Sequence, residues 1–257
     1  MDIKNIKRLA DDLYNSERAR KSISPLTDSF HLTVDDAYHI QLENVKRVLG
    51  MGYKISGKKI GLTSPGIQRQ LGVNEPDYGH LFDAMDCKDG TIRIDELMQP
   101  KIEAELAFIL KADLSGGKIT ESDVIQATDY VIGAFEIVDS RIADWKIKLM
   151  DTIADNASSG RYILGLRSIS PDADLSSIKM TLTKNGEKAG EGYGAAVLGD
   201  PRKAVAWLAN KMWGYGVTLK AGEVILSGAF TAAPLAVKGD VFEADFDGIE
   251  TVTAHFI

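Results

Sequence analysis

Glu103 and Glu105 stand two residues apart in the run Lys101-Ile102-Glu103-Ala104-Glu105-Leu106-Ala107-Phe108-Ile109-Leu110, and Glu136 lies inside the apolar run Val131 to Val138. Side chains alternate between the two faces of a strand, so Glu103 and Glu105 share a face with Ala107 and Ile109, while Ile102, Ala104, Leu106 and Phe108 take the other. An acidic pair therefore opens a face that turns apolar two residues later. Glu136 sits between Phe135 and Ile137, where an ionised carboxylate is costly unless its charge is cancelled. One divalent cation accounts for all three groups, and oxygen donors with no histidine or thiolate nearby favour Mg²⁺ or Mn²⁺ over zinc. Two plainer accounts stay open. A Glu-x-Glu pair on a strand is commonly a solvated face, and a Lys or Arg salt bridge would equally serve Glu136.

Composition narrows the setting of these residues. A chain of 257 residues forms one large domain, or one domain with a small appendage, and has ample material for a core. A net charge of −7 with no Lys/Arg block argues against a nucleic acid or an anionic membrane as partner. The single cysteine, Cys87, excludes an internal disulfide framework and a cysteine-rich zinc site, and the four histidines are scattered without ligand-like spacing. No apolar stretch reaches the roughly 20 residues that span a bilayer. Met1-Asp2-Ile3-Lys4 carries no apolar signal-peptide region, so a cytoplasmic enzyme is expected.

The elements that must hold the acidic groups follow a helix-first order. Ile3, Ile6, Leu9, Ala10 and Leu13 recur at helical spacing. Thr33, with Asp36 three residues on, opens a second helix that runs to Gly50. Residues 1–57 read as a helical layer and 58–257 as a β-rich domain that carries the site. Lys59-Ile60-Gly61-Leu62-Thr63 alternates as a strand, and Asn74 to Gly79 reads as a turn-rich loop. Ile102–Leu110, Val131–Val138 and Arg161–Leu164 are strands, and Asp139 to Ser159 is a polar stretch between the last two. Thr120 and Asp123 cap a short helix, and Asp200-Pro201 starts another that runs to Met212. Val224–Leu226 is a short buried strand, and Val241–Phe246 with Glu250–Phe256 closes the chain as a hairpin. The fold class is α+β.

Four segments together carry a resemblance: Lys59-Ile60-Gly61-Leu62-Thr63, the run Gln70 to Gly79, Gln99-Pro100-Lys101-Ile102-Glu103-Ala104-Glu105, and Asp151-Thr152-Ile153-Ala154-Asp155-Asn156-Ala157-Ser158. Through them the chain resembles the 2-hydroxypenta-2,4-dienoate (2-oxopent-4-enoate) hydratases and 4-oxalocrotonate decarboxylases of the fumarylacetoacetate hydrolase superfamily. The likeness extends over nearly the whole chain. It implies N-terminal helices followed by a mixed β-sandwich roll, a homo-oligomer, and Mg²⁺ or Mn²⁺ held by Glu103, Glu105 and Glu136. It also implies a small 2-hydroxydienoate or 2-oxo acid substrate, hydrated at a site of aromatic meta-cleavage catabolism.

Motif positions extend the implied site. Lys59 matches the family's site lysine, offering positive charge near the substrate, and Asp77 matches the acid of its Pro-Asp-aromatic-Gly loop, an acid/base group. Without the resemblance Lys59 is a solvated lysine on an edge strand and Asp77 a turn former after Pro76. Asp155, Asn156 and Ser158 either bind the substrate carboxylate or cap a helix, and both readings stand. Asp139 is expected in a structural ion pair, Trp145 either lines a pocket or packs, and Gly228 lies where backbone could approach a ligand. Phe230-Thr231 is followed by Ala232-Ala233 where relatives acting on longer dicarboxylates carry an Arg, which favours a monocarboxylate and the hydratase. The rivals are the decarboxylase, an acylpyruvate-type C–C hydrolase using a histidine such as His80, and a non-catalytic metal-stabilised protein.

Overall fold

Helix α1 (Ile3–Ala19) starts where the Asp2 side chain accepts from the Asn5 amide, and it buries the stripe Ile6, Leu9, Ala10 and Leu13. Helix α2 (Val34–Gly50) starts with the Thr33/Asp36 capping box that its sequence predicts, and it packs along α1. The computed structural model describes residues 1–257, the side chains of Ile67, Gln70 and Leu71 excepted. After the two helices come β1 (Ile55–Gly61), α3 (Pro65–Leu71), β2 (Asp77–Phe82), β3 (Thr91–Ile92), β4 (Lys101–Leu110), α4 (Glu121–Ala127) and β5 (Thr128–Val138). The remainder is α5 (Leu149–Ala154), β6 (Ser159–Leu164), β7 (Lys179–Lys184), β8 (Glu187–Tyr193), α6 (Pro201–Trp213), β9 (Val224–Leu226), β10 (Val241–Phe246) and β11 (Glu250–Phe256).

The strands form two mixed sheets, ordered β2-β1-β9-β4-β5-β6 and β3-β11-β10-β7-β8. Ile102, Ala104, Leu106 and Phe108 of β4 and Phe135 and Ile137 of β5 meet Met180, Leu182, Phe242, Ala244, Phe246 and Val252 of the second sheet in one core. The architecture is the expected α+β roll. Among the described residues no helix is long and apolar enough to cross a membrane.

Several local expectations are corrected. The strand anticipated at Lys59–Thr63 ends at Gly61, because Leu62 turns left-handed at φ 58°. It is also an interior strand, hydrogen-bonded to β2 on one side and β9 on the other, so Lys59 is no edge lysine. The loop read through Gly79 becomes β2 from Asp77 onward, since pairing with β1 overrides the turn-forming residues. The polar stretch 139–159 contains α5, whose six residues are too few to declare a helical period. β1 begins at Ile55, so the division placed at residue 57 falls inside it.

The helical layer is tied to the sheet by Gln41 of α2. Its Nε2 donates to the carbonyls of Tyr78 (3.0 Å) and Ile153 (2.8 Å), and its Oε1 lies 3.0 Å from His80 Nδ1. Replacement by alanine leaves two buried carbonyls and a ring nitrogen unpaired. Gln41→Ala is expected to lower unfolding free energy by about 2–4 kcal/mol, read as an earlier midpoint in a urea melt.

Candidate active site

Register alone brings the acidic trio together. In the antiparallel pairing of β4 with β5, Glu103 lies directly opposite Glu136, and Glu105, two residues along, points to the same face. One carboxylate oxygen from each of Glu103, Glu105 and Glu136 lies within 4.8 Å of the others. Glu105 and Glu136 are fully buried, whereas Glu103 is half-buried at the wall of a cavity of about 640 Å³. Glu105 Oε2 accepts from the Gly228 amide at 2.8 Å. Gly228, anticipated as a point of ligand approach, thus holds a carboxylate instead.

Lys59 reaches the trio from β1. Its Nζ lies 3.2 Å from Glu136 Oε1 as an ion pair and donates to the Ala157 carbonyl at 3.0 Å. Among the described residues, Glu105 Oε1 and both Glu136 oxygens have no hydrogen-bond partner. Asp77 stands opposite Gly61 in the β1–β2 register. A Cβ on Gly61 would run into Asp77 Oδ1 and lie 3.4 Å from Lys59 Nζ, so glycine at this place lets the carboxylate and the ammonium share one end of the cavity. Thr152 Oγ1 donates to Asp77 Oδ2 at 3.1 Å.

Burial sets the titration of these groups. It raises Glu103, raises Glu105 well above the ordinary carboxyl range with help from Glu136 and Glu103, and lifts Glu136 to about 8 against the pull of Lys59. Asp77 is likewise raised by burial, with Lys59 and Thr152 opposing. Burial works against the Lys59 ammonium, but Glu136, Glu103, Asp77 and Glu105 together outweigh it and its pKa is raised. Lys59 is therefore a fixed cation.

Of the substrate-binding expectations, only Ser158 reaches the cavity, lining it beside Ala157. Asp155 is held by Arg141, whose Nε donates to its Oδ1 and whose amide donates to its Oδ2 at 2.9 Å. The Asn156 side chain pairs with the backbone of His80 through Oδ1 (2.8 Å) and Nδ2 (2.9 Å). Neither residue lines the cavity. Asp139, expected in an ion pair, instead accepts from the amides of Met98 (2.9 Å) and Gln99 (2.7 Å), and Arg141 takes Asp155.

Trp145 both lines the cavity and packs, donating to the Gln99 carbonyl at 3.0 Å beneath Lys101 Nζ, which lies 4.2 Å from its ring centre. Thr152 and Lys101 are lining residues that the sequence did not single out. Lys101 shares a strand face with Glu103, so the two-residue spacing could have found it. His80 pairs with Lys58 across β1 and β2, on the face away from Lys59, and burial lowers it to about 3. It stays neutral and outside the cavity.

The donor set fits a hard dication: three carboxylates converge, and buried oxygens among them lack partners.

Known proteins are similar to this chain over most of its length. The family model described as fumarylacetoacetate (FAA) hydrolase C-terminal matches residues 78–257. A 2-keto-4-pentenoate hydratase of Paraburkholderia xenovorans (strain LB400) is 50% identical over 250 residues, 96% of this chain and 93% of the relative. A 2-hydroxyhexa-2,4-dienoate hydratase of Comamonas testosteroni is 45% identical, with 95% of this chain and 94% of that one aligned. The solved structure of 4-oxalocrotonate decarboxylase from Pseudomonas putida G7, complexed with magnesium and adipate, superposes with a TM-score of 0.96 at 39% identity, covering 100% of this chain and 99% of that one. The chain belongs to the fumarylacetoacetate hydrolase family.

Because Glu136 is raised from 4.5 to about 8, the unfolded chain gives up this proton before the folded one does. The metal-free protein thus carries the full contribution of this group at low pH and loses it as the pH rises through about 8. Mg²⁺ affinity should climb over the same interval, since the ion takes the deprotonated form. Calorimetric melts should show a larger Mg²⁺-induced rise in Tm at about pH 8 than at about pH 6, with proton release on binding.

Proposed function

We propose that this chain is a divalent-metal-dependent hydro-lyase that adds water to a 2-hydroxy-2,4-dienoate and yields a 4-hydroxy-2-oxo acid, in the catabolism of aromatic ring-cleavage products. The observation that carries the reading is the trio Glu103, Glu105 and Glu136, which reaches through Glu103 the wall of a cavity that Lys59 and Asp77 also line. The relatives named hydratases at 50% and 45% identity support the same reaction. Mg²⁺ is the favoured ion, with Mn²⁺ suited to the same oxygen donors. The reading includes an assembly of identical cytoplasmic subunits.

Glu103, Glu105 and Glu136 would hold a hard dication, which would supply an anchor for the substrate's oxygens and Lewis-acid stabilisation of negative charge at C2. Lys59, tethered by the Ala157 carbonyl, adds a fixed positive charge where the enolate develops. In the first step the C2 hydroxyl loses its proton and C5 gains one, turning the dienol into an α,β-unsaturated 2-oxo acid. Asp77, oriented by Thr152 and raised by burial, is the group that accepts and returns that proton. In the second step water adds across the new double bond, its oxygen bonding to C4 and a proton to C3. Ser158 Oγ, without a partner among the described residues, would donate to the substrate or hold the water.

Decarboxylation of 4-oxalocrotonate is the second reading, favoured by the 0.96 TM-score and by Lys101, a cation at the cavity wall. Phe230, Thr231, Ala232 and Ala233 line the cavity without an Arg, which supports the shorter monocarboxylate.

Supplied with Mg²⁺ and each substrate, the protein should consume 2-hydroxypenta-2,4-dienoate. Release of CO₂ from 4-oxalocrotonate with the dienoate untouched would exchange the two readings. Glu103→Gln with Glu105→Gln should abolish both Mg²⁺ uptake in a titration and turnover. Lys59→Met should keep the fold and lower kcat by roughly 10²–10³.

A further inference from the structure

Asn156, Ala157 and Ser158 have φ angles of 54°, 49° and 55°, three consecutive non-glycine residues in the left-handed region. L residues resist that conformation, Asn least, and a run of three persists only where the surroundings over-determine it. Here the surroundings are explicit. The Asn156 side chain clamps both backbone groups of His80 on β2. Arg141 donates through Nε to Asp155 Oδ1, through Nη2 to the Asp155 carbonyl, and through Nη1 to the Ser159 carbonyl at 3.0 Å. The run is thus gripped at both ends. The Ser158 carbonyl accepts from the Asp139 amide at 2.7 Å. A Cβ on Gly79 would run into the Asn156 carbonyl, so glycine there lets the run lie against β2.

Two groups leave this run toward the cavity. The Ala157 carbonyl accepts from Lys59 Nζ, and Ser158 Oγ, fully buried in a residue that lines the cavity, has no hydrogen-bond partner among the described residues. Arg141, Asp155 and Asn156 are themselves absent from the cavity lining. They touch neither the substrate space nor the acidic trio.

We propose that Asn156 and the Arg141–Asp155 pair are positioning residues: they lock the left-handed run 156–158 so that its backbone fixes the Lys59 ammonium and its serine hydroxyl faces the substrate. This rests on the hydratase reading for its consequence in rate, and on the geometry alone for its structural part. A purely structural clasp would change stability and leave per-site turnover of the folded enzyme as it was. A positioning role divides the kinetic constants, because the chelate anchor stays intact while the charge and the hydroxyl drift.

The test uses the full-length Mg²⁺-loaded protein with Asn156→Gly, Asn156→Asp and Arg141→Lys. Asn156→Gly permits the left-handed turn but removes the clamp. It should lower kcat for 2-hydroxypenta-2,4-dienoate at least tenfold, while the Kd for oxalate by calorimetry moves less than about twofold. Asn156→Asp keeps the left-handed preference and the acceptor for the His80 amide, and should recover most of the lost kcat. Arg141→Lys keeps the charge without the fork, should act in the same direction, and serves if Asn156→Gly does not fold. Crystal structures should show the Lys59 Nζ to Ala157 carbonyl contact lengthened beyond hydrogen-bond range in Asn156→Gly and restored in Asn156→Asp. Unchanged kcat in folded variants, or an unmoved Lys59 and run 156–158 in the crystals, overturns the proposal. Inactivity of the wild-type protein on the dienoate overturns the hydratase reading instead, and the crystal structures then decide the positioning claim by themselves.

Discussion

Mutual repulsion among buried carboxylates is the constraint around which this molecule is organised. Glu103, Glu105 and Glu136 offer oxygens within 4.8 Å of one another, and each ionised pair at that range repels by about 3 kcal/mol at an effective dielectric of about 20. Asp77 adds a fourth carboxylate, against the buried ammonium of Lys59. With all of them ionised, three negative charges are uncompensated, and a dication removes two. The cluster therefore stays partly protonated on its own and is fully charged only beside such an ion. Burial displaces the titration of Glu136 upward, and repulsion from Glu103 and Asp77 adds to it.

Everything near the cluster serves to hold that imbalance in place. β4 and β5 lie mid-sheet, paired along nearly their full lengths, so the backbone beneath the glutamates cannot splay to relieve the repulsion. The opposite face of the same strands is packed with Ile102, Ala104, Leu106, Phe135 and Ile137, which anchors the sheet from behind. Lys59 is pinned from both sides, by a carboxylate and by a carbonyl. Rigidity of this kind keeps the fixed charges from collapsing onto one another before a ligand arrives.

The sequence disclosed the acidic trio for a simple reason. Alternation puts Glu103 and Glu105 on one face, and an acid flanked by Phe135 and Ile137 is conspicuous. The capping boxes at Thr33 and Thr120 and the closing hairpin were legible for the same local reason, each signal lying within a few residues. Lys59 and Asp77 were reached only through family likeness, because one lysine in an alternating strand and one Asp after a proline look ordinary. The register that sets Glu103 against Glu136 is a long-range choice with no local mark. The left-handed turn at 156–158 is likewise unmarked by its residue types, and so Asp155 and Asn156 stood open between substrate binding and helix capping, whereas their side chains hold Arg141 and the His80 backbone. Spacing says which residues are neighbours, and a reversed φ changes where they point.

The three-residue strand β9 joins the strand of Lys59 to the strand of Glu103 and Glu105, parallel to the first and antiparallel to the second. It is contributed by Val224–Leu226, far along the chain from both. During synthesis the lysine and the glutamates emerge long before the piece that seats them side by side. The pocket consequently closes late: a half-made chain has the strands that gather the glutamates but lacks the one that seats the lysine beside them.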